Sequence, residues 1–431
     1  MPDAARSAAY DVLRAVRTDD AYANLVLPQV LAARNLDGRD AAFVTELAAG
    51  TLRGQGTYDA IIDHCVPKKP QARLRDVLRL GAHQLLAMRV PTHAAVSATV
   101  DLAKARTGPR SAALVNAVLR RIGERSLEEW VAALAPADET GRLALAHSHP
   151  DWVVETLGEA VGADELEALL AADNQPPRVT LVARPGLATL EELPGEATRW
   201  SPYGVVAEGG DPGAIPAVRD GRAGVQDEGS QLVALALAEA PLDGRDERWL
   251  DACAGPGGKA ALIQALADQR GVTMLAAERQ SHRAELVRRA GVRRVVVADG
   301  TRPPYVEGTF DRILVDAPCS GLGALRRRPE SRWRRRPADI DSLVPLQKSL
   351  LASALDVVRP GGLVLYATCS PVLAETRDVV APILDREDVE LVPIEWEIPD
   401  SDGPIPGTRQ LWPHRHQTDA MFLALLRRSE K

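Results

Sequence analysis

The N-terminal third of the chain carries apolar residues at helical spacing. Apolar positions recur every three or four residues over 9–16, 25–31, 43–52, 77–86, 96–105 and 114–122, the period of amphipathic helices. Breaks rich in glycine or proline separate these stretches, among them Gly54-Gln55-Gly56 and Thr107-Gly108-Pro109. The pattern therefore predicts an all-α bundle of six or seven helices over residues 1–135.

The pattern changes twice beyond residue 135. A helical stretch, Trp152 to Ala172, precedes one plausible strand, Arg178 to Ala183, and connections rich in proline and glycine. From about residue 229, strands and helices alternate. The candidate strands are Trp249–Cys253, Val272–Glu278, Arg294–Ala298, Arg312–Asp316, Leu363–Thr368, Val389–Ile394 and Ala420–Leu425. This alternation predicts a parallel, doubly wound, Rossmann-like α/β domain over 229–431, preceded by a small α+β module over 136–228.

Composition excludes several classes of protein. The 431 residues are 45% hydrophobic and 26% charged, which suits a globular chain. No apolar run reaches the roughly 18 residues of a membrane span, so we expect a cytoplasmic protein with no membrane partner. The four cysteines form no CxxC pair, which argues against structural zinc and against a disulfide framework. No metal is predicted.

The charge is unevenly distributed. A net charge of −7 argues against a uniformly basic nucleic-acid binder, yet residues 1–135 hold 18 basic against 14 acidic residues. The stretch Arg326 to Arg336 holds seven arginines and one glutamate. It follows the fourth predicted strand, so we expect it to contact phosphates at the rim of a site there, with Trp333 available for base stacking.

A glycine-rich turn, Cys253-Ala254-Gly255-Pro256-Gly257-Gly258-Lys259, follows the first of these strands and opens a helix. Its small residues let a ligand approach the backbone, and its spacing matches neither the GxGxxG nor the P-loop motif. Glu278 ends the second strand, where an acid can accept ribose hydroxyls, and Asp299 follows the third, where a side chain can meet an adenine edge. These elements favour a nucleoside ligand without a diphosphate, such as S-adenosylmethionine.

Two cysteines lie at the ends of strands that should be neighbours. Cys319 follows Asp316 at the end of the fourth strand, and Cys369 ends the fifth. Function concentrates at the C-terminal ends of parallel strands, so both are candidate site residues. For Cys65, and for the side chain of Cys253, we expect packing in the apolar core and not a role in the chemistry of a site.

Several motifs resemble the RNA cytosine-5 methyltransferase family. These are DAPCSGLG, YATCSP and CAGPGGK. Residues 79–86 and 114–122 are similar to the NusB-like RNA-binding domain, and the fusion of the two parts in this order resembles the Sun/Fmu (RsmB) type, which methylates a cytosine in small-subunit (16S) ribosomal RNA. The likeness is weakest across 185–220. It implies a class I methyltransferase domain, a NusB-like domain over 1–135 and S-adenosylmethionine as cofactor. Gly255 and Glu278 stand where the family usually has Ala and Asp.

The resemblance also implies a role for each candidate residue. Cys369 would add to carbon 6 of cytosine and thereby activate carbon 5. Cys319 would remove the carbon 5 proton and release the product, and Asp316 would bind the N3 and amino edge of the base. We expect Lys259, the only lysine between residues 105 and 347, to hold a thiolate or the Asp316 carboxylate, although a plain salt bridge fits equally well. The candidate cofactor-binding residues are Cys253, Ala254, Gly255, Pro256, Gly257, Gly258, Lys259, Glu278, Arg283, Asp299 and Asp316.

The implied partner is ribosomal RNA with an unstacked cytosine, in a loop or in partly folded RNA, because the ring must be reached from its face. We expect the protein to act as a monomer. Two alternatives stay open. One is a cytosine-5 methyltransferase of transfer RNA or large-subunit ribosomal RNA, against which the NusB-like domain argues. The other is a non-catalytic RNA-binding or antitermination factor, against which the intact Cys319, Cys369 and Asp316 argue.

Overall fold

The computed structural model describes residues 3–88 and 90–429. They form two compact units. The first runs to Gln175 and includes Leu325–Arg334, and the second comprises Pro176–Ala324 and the chain from Arg335 onwards. These units group the chain differently from the three predicted segments, because the helices of the middle segment pack with the N-terminal ones. None of the described helices is both long and apolar enough to cross a membrane.

The first unit is helical throughout its described residues. Up to residue 175 its α-helices are α1 (Ala4–Thr18), α2 (Ala23–Ala33), α3 (Gly38–Arg53), α4 (Gln55–Cys65), α5 (Ala72–Leu86), α6 (Thr92–Thr107), α7 (Ala112–Ile122), α8 (Leu127–Leu134), α9 (Glu139–His147), α10 (Asp151–Val161) and α11 (Ala163–Asp173). Eight of the described helices lie within 4–134, so the expected six or seven was too few. Gly54 ends α3 and directly precedes α4, so the glycines there mark a bend between helices and not a loop.

The predicted apolar spacing produces the core of this unit. In α7, Val115, Val118, Leu119 and Ile122 lie on one face and are buried, as the helical period requires. Cys65 belongs to the same core. The helices therefore form for the reason that the sequence pattern indicates.

The second unit begins with a small antiparallel sheet. Its strands are β1 (Thr180–Ala183), β2 (Gly195–Ala197), β3 (Gly204–Ala207) and β4 (Ala223–Val225), in the order β2-β3-β1-β4. The short helix α12 (Pro216–Arg219) precedes β4. Only β1 was predicted from the sequence. The other strands are three or four residues long and lie among connections rich in proline and glycine.

The main sheet contains all seven candidate strands and one further, short strand. The strands are β5 (Arg248–Asp251), β6 (Thr273–Glu278), β7 (Val295–Val297), β8 (Phe310–Asp316), β9 (Val358–Thr368), β10 (Val389–Val392), β11 (Arg409–Gln410) and β12 (Phe422–Arg428). Their order is β10-β12-β9-β8-β5-β6-β7, with β11 paired to β12. β5 to β9 are parallel, which confirms the Rossmann-like prediction, but β12 runs antiparallel to both of its neighbours, β9 and β10.

Helices cover both faces of this sheet. The remaining α-helices are, in chain order, α13 (Glu228–Glu239), α14 (Gly258–Gln269), α15 (Ser281–Arg289), α16 (Ser331–Arg334), α17 (Pro337–Val357), α18 (Arg377–Val380) and α19 (Pro413–His416). Of these, α16 belongs to the first unit. Residues of α13 and α14 share one buried cluster with the sheet, and residues of α17 and α18 share the other.

The strand order creates a switch point between β5 and β8. From β5 the chain proceeds outward to β6 and β7, and then returns to place β8 on the other side of β5. In open α/β sheets, ligands bind beyond the C-terminal strand ends at such a point. The loops after β5, β8 and β9 are therefore where a site is expected.

Two arginines of the arginine-rich stretch are engaged inside the first unit. Arg332 is fully buried within the first unit, and its guanidinium donates to Asn174 Oδ1 (2.8 Å) and to the Ser148 carbonyl (3.2 Å). Burial lowers the pKa of Arg332 to about 10. Arg334 donates to the carbonyls of Val16 (2.8 Å) and Asp20 (3.0 Å). The predicted phosphate contact is therefore wrong for Arg332 and Arg334, because their donors are engaged by carbonyl oxygens and an amide oxygen of the same unit.

Candidate active site

The glycine-rich turn begins directly after a buried carboxyl group. Asp251 ends β5, and its Oδ1 accepts a hydrogen bond from the Cys253 N–H (3.1 Å). Its other oxygen is buried and has no hydrogen-bond partner in the described part of the chain. Burial raises the pKa of Asp251 to about 7, and the negative charge of Asp316 adds to the rise. Asp251 therefore titrates near neutral pH.

Glu278, Gly255 and Arg283 form one hydrogen-bonded group beside this turn. Glu278 Oε2 accepts from the Gly255 N–H (3.1 Å), and Arg283 Nη2 donates to the Gly255 carbonyl (2.6 Å). Arg283 Nε lies 3.7 Å from Glu278 Oε2. A Cβ atom at Gly255 would lie 2.2 Å from that carboxylate oxygen, so this close approach requires glycine.

A largely apolar pocket opens beside Asp299. It is lined by Leu250, Ala252, Ala277, Ala298, Asp299, Gly300, Pro303, Tyr305, Leu350, Ser353, Ala354 and Val357. Asp299 Oδ1 accepts hydrogen bonds from Thr301 Oγ1 (2.7 Å) and Thr301 N–H (3.0 Å), which lower the pKa of Asp299. Its walls are mostly apolar, and Asp299, Ser353 and Tyr305 supply the polar groups. Sequence reasoning identified Asp299 but missed Tyr305 and Leu350.

Lys259 and Asp316 form an ion pair between the turn and the end of β8. Lys259 Nζ lies 2.9 Å from Asp316 Oδ2, and both side chains are largely buried. Burial lowers the pKa of Lys259, but the negative charges of Asp316 and Cys369 outweigh this effect, and the net pKa is raised. Lys259 is therefore an ammonium ion at neutral pH.

Cys319 and Cys369 meet where β8 and β9 end. Their sulfur atoms lie 3.4 Å apart, and no disulfide joins them. The hydrogen bond with Cys369 and burial raise the pKa of Cys319 well above its usual range, and the charges of Cys369, Glu375 and Asp316 contribute. Such a pair can supply one nucleophilic thiolate and one retained thiol proton.

Sequence reasoning did not identify Glu375. This fully buried residue accepts hydrogen bonds from Ser320 and from Ser370, the residues that follow the two cysteines. The sequence places it shortly after a strand-end cysteine, in a Glu375-Thr376 pair that stands where the resembled family usually has Glu-Asn, but neither feature assigns it a role.

The structure therefore brings the predicted residues together in three places. Lys259, Asp316, Cys319 and Cys369 form the centre, the Glu278 group lies at the glycine-rich turn, and Asp299 lies at the pocket. The side chain of Cys253 packs against the apolar core and is not part of these three groups. Burial raises the pKa of its thiol well above the usual range. No group of three His, Cys, Asp or Glu side chains within 3–88 and 90–429 is placed to hold a metal ion.

Comparison with known families gives two matches. Residues 238–427 match the family described as 16S rRNA methyltransferase RsmB/F. Residues 3–124 match the NusB family.

Curated relatives match over nearly the whole chain. A Mycobacterium tuberculosis protein named as a methyltransferase is 51% identical, covering 99% of this chain and 97% of its own length. The ribosomal RNA small subunit methyltransferase B of Xanthomonas campestris is 34% identical over 98% of this chain and 97% of its own length. The protein of the same name from Pseudomonas putida is 36% identical over 88% of this chain and 89% of its own length.

Solved structures show the same fold. The crystal structure of PH0851 has a TM-score of 0.81 at 24% identity and covers 98% of this chain and 97% of its own. The structure of NSun6 from Pyrococcus horikoshii with SFG has a TM-score of 0.56 at 17% identity, covering 65% of this chain and 99% of its own.

Proposed function

This chain belongs to the RsmB/F family of 16S rRNA methyltransferases, and on that premise we propose that it methylates carbon 5 of a cytosine in small-subunit ribosomal RNA. The chain is an S-adenosylmethionine-dependent rRNA methyltransferase. The position on the base, the small-subunit RNA as target and the covalent route are our proposal. The observation that carries them is the pair of sulfur atoms 3.4 Å apart beside the Lys259–Asp316 ion pair.

The residues at the switch point fit S-adenosylmethionine. Glu278 presents a carboxylate to the turn, where it can accept ribose hydroxyls. The apolar pocket beside Asp299 suits the adenine ring. Gly255 to Gly258 leave the backbone open for the rest of the molecule. When bound, the cofactor supplies the methyl group from its sulfonium.

The proposed chemistry assigns one step to each sulfur. The Cys369 thiolate adds to carbon 6, and the electron pair of the broken double bond makes carbon 5 nucleophilic. Asp316 binds the N3 and amino edge and stabilises the charge that develops there. After methyl transfer, Cys319 takes the proton from carbon 5, the ring double bond re-forms and the bond between sulfur and carbon 6 breaks. Before that step Cys319 gives its own proton to solvent water, and the C5 proton then restores the Cys319 thiol while Cys369 leaves as a thiolate.

The electrostatics of the pair support this division of roles. Cys369 contributes to the raised pKa of Lys259, so the ammonium lies close enough to interact with that sulfur. At Cys319, hydrogen bonding to Cys369, burial and three negative groups all favour the thiol form. In this proposal the proton stays on Cys319 while Cys369 attacks.

The same proposal includes the division into domains and the partner. We assign RNA binding to the NusB-like part, residues 1–135, and to the module over 136–228, and methyl transfer to residues 229–431. The NusB match supports ribosomal RNA as the substrate, and an unstacked cytosine is needed for attack on the ring. The protein acts as a monomer in this proposal.

Bisulfite sequencing of ribosomal RNA, with and without the gene, tests the proposal. One cytosine of 16S RNA should lose its protection from conversion when the gene is deleted. Wild-type protein should restore protection, and the Cys369→Ala variant should not. Protection lost from transfer RNA or large-subunit RNA would place the activity on another substrate, and no lost protection would refute cytosine-5 methylation.

A further inference from the structure

Glu375 occupies a position between the two loops that carry the cysteines. It ends a short turn, Leu373–Glu375, that follows β9, and none of its side chain is exposed. A buried carboxylate is costly unless hydrogen-bond donors surround it. Its partners therefore indicate why the fold retains it.

Four donors converge on the Glu375 carboxylate. Oε1 accepts from the Ser320 N–H (2.7 Å) and from Gln347 Nε2 (3.0 Å). Oε2 accepts from Ser320 Oγ (2.5 Å) and Ser370 Oγ (2.6 Å). Because an ionised carboxylate has about four acceptor sites, these donors satisfy it completely.

The donors belong to three separate elements. Ser320 directly follows Cys319 in the loop after β8, and Ser370 directly follows Cys369 in the loop after β9. Gln347 lies in α17 and also donates to the carbonyl of Pro318 (2.8 Å), which precedes Cys319. One buried side chain is thus bonded to the residue following each cysteine. Bonds to an ionised acceptor are short and strong, so they restrict both loops.

We infer that Glu375 is a positioning residue, which sets the separation of Cys319 and Cys369 by holding Ser320 and Ser370. This inference rests on the proposed function for its catalytic consequence, but not for its geometry. The negative charge of Glu375 also helps to keep the proton on Cys319, since it contributes to the raised pKa of that thiol. The hydrogen-bond donors to the Glu375 carboxylate described above lie outside the glycine-rich turn. We therefore expect cofactor binding not to depend on Glu375.

The test uses Glu375→Gln in the full-length protein. Glutamine keeps the shape of the side chain but removes its charge and turns one acceptor into a donor, which opposes the Ser320 and Ser370 hydroxyls. Asp378→Asn is the matched control. Asp378 lies three residues further on, is about half exposed and pairs with its neighbour Arg377, so its replacement removes the same charge without affecting the two loops.

The first readout measures the separation of the sulfurs without any RNA. Diamide oxidises two adjacent thiols: each thiol gives up its hydrogen, the azo group of diamide takes up both and becomes a hydrazine, and a disulfide forms. Peptide mass spectrometry distinguishes the Cys319–Cys369 disulfide from products of Cys65 and Cys253. We expect the wild type and Asp378→Asn to form it at the same rate, and Glu375→Gln to form it at least about tenfold more slowly.

The second readout measures the chemistry. An RNA with 5-fluorocytosine at the target position traps the adduct, because fluorine cannot leave carbon 5 as a proton does. We expect Glu375→Gln to lower the rate of adduct formation and kcat on the order of 10- to 100-fold. The KM for RNA and the Kd for S-adenosylmethionine should stay within about twofold of the wild-type values. Glu375→Asp keeps the charge, so its rate of adduct formation and its kcat should lie between those of the wild type and Glu375→Gln.

Two results would overturn the inference. One is an unchanged disulfide rate in Glu375→Gln. The other is a parallel loss of cofactor affinity and rate, which would indicate general destabilisation. A wild-type protein that forms no adduct with the 5-fluorocytosine RNA would refute the proposed function, and the diamide rates would still decide whether Glu375 positions the cysteines.

Discussion

The sulfur atoms of Cys319 and Cys369 lie 3.4 Å apart, although 50 residues separate them along the chain. They meet because β8 and β9 are parallel neighbours in register from Arg312 and Leu363 to Asp316 and Ala367. Parallel neighbours bring their C-terminal loops to the same edge of a sheet. The pairing of two strands is thus what creates a two-thiol centre.

Replacing each cysteine in turn should give opposite phenotypes. Cys369→Ala removes the nucleophile, so neither adduct nor methylated product should form. Cys319→Ala should still form the adduct but release it slowly, and a covalent protein–RNA complex should accumulate. Denaturing gel electrophoresis of protein mixed with substrate RNA and S-adenosylmethionine detects that complex. The opposite pattern, with a complex only in Cys369→Ala, would reverse the assignment.

Breaking the Lys259–Asp316 pair should slow methyl transfer. Lys259→Met and Asp316→Asn each leave the other charge largely buried without this partner, and each should reduce the single-turnover rate by roughly 10²- to 10³-fold. The double variant should be little worse than either single variant, because the two groups act together. Fully multiplicative losses in rapid-quench measurements would show that the two residues act independently.

Gly255 should be intolerant of a side chain. In Gly255→Ala the new Cβ would lie 2.2 Å from Glu278 Oε2, so the carboxylate must move and S-adenosylmethionine should bind about tenfold or more weakly. Adding Glu278→Asp shortens the acid by one methylene and should restore part of the affinity. Isothermal titration calorimetry measures both effects. Equal affinities for Gly255→Ala and the double variant would argue against this steric explanation.

Asp251 should make the protein less stable as the pH rises. Its pKa is about 7 in the fold against about 3.9 in an unfolded chain, so the folded state binds the proton more tightly. Asp251 therefore makes its full contribution to the free energy of unfolding below about pH 4, and this contribution is lost as the pH rises through 7. The loss is at most about 4 kcal/mol, since one pKa unit corresponds to about 1.4 kcal/mol.

Asp251→Asn tests this linkage because it cannot ionise. Urea unfolding at pH 5 and pH 8 should show a larger fall in stability for the wild type than for the variant. The same pH dependence in both proteins would mean that Asp251 does not titrate in this interval.

Arg332→Ala should destabilise the helical unit and leave RNA recognition by exposed groups unaltered. It deprives Asn174 Oδ1 and the Ser148 carbonyl of their donor, at a cost of roughly 3 kcal/mol or more. Arg336→Ala, at an exposed position of the same run, should leave the melting temperature nearly unchanged. Differential scanning calorimetry compares the two. Equal melting temperatures would contradict the structural role of Arg332.

The sequence predicted most of the main sheet and the candidate centre because both depend on local patterns. Each strand of the parallel part is an apolar run bounded by turn residues, and each motif lies at a strand end. The direction of β12 was not predictable, since an apolar run indicates burial but not orientation. Glu375 was missed because its partner Ser320 lies 55 residues away. Arg332 was misjudged because its burial depends on residues more than 150 positions earlier.

The path of the chain through residues 325–334 has a consequence for dissecting the protein. The second unit is interrupted by ten residues that belong to the first, so no single cut divides the two. A fragment starting at Pro176 would retain Leu325 and Arg332, which are buried in the intact protein, without the helices that bury them. Limited proteolysis should therefore yield no stable methyltransferase fragment by trimming from the N-terminus. Separating the activities requires replacing the decapeptide as well as removing the helices.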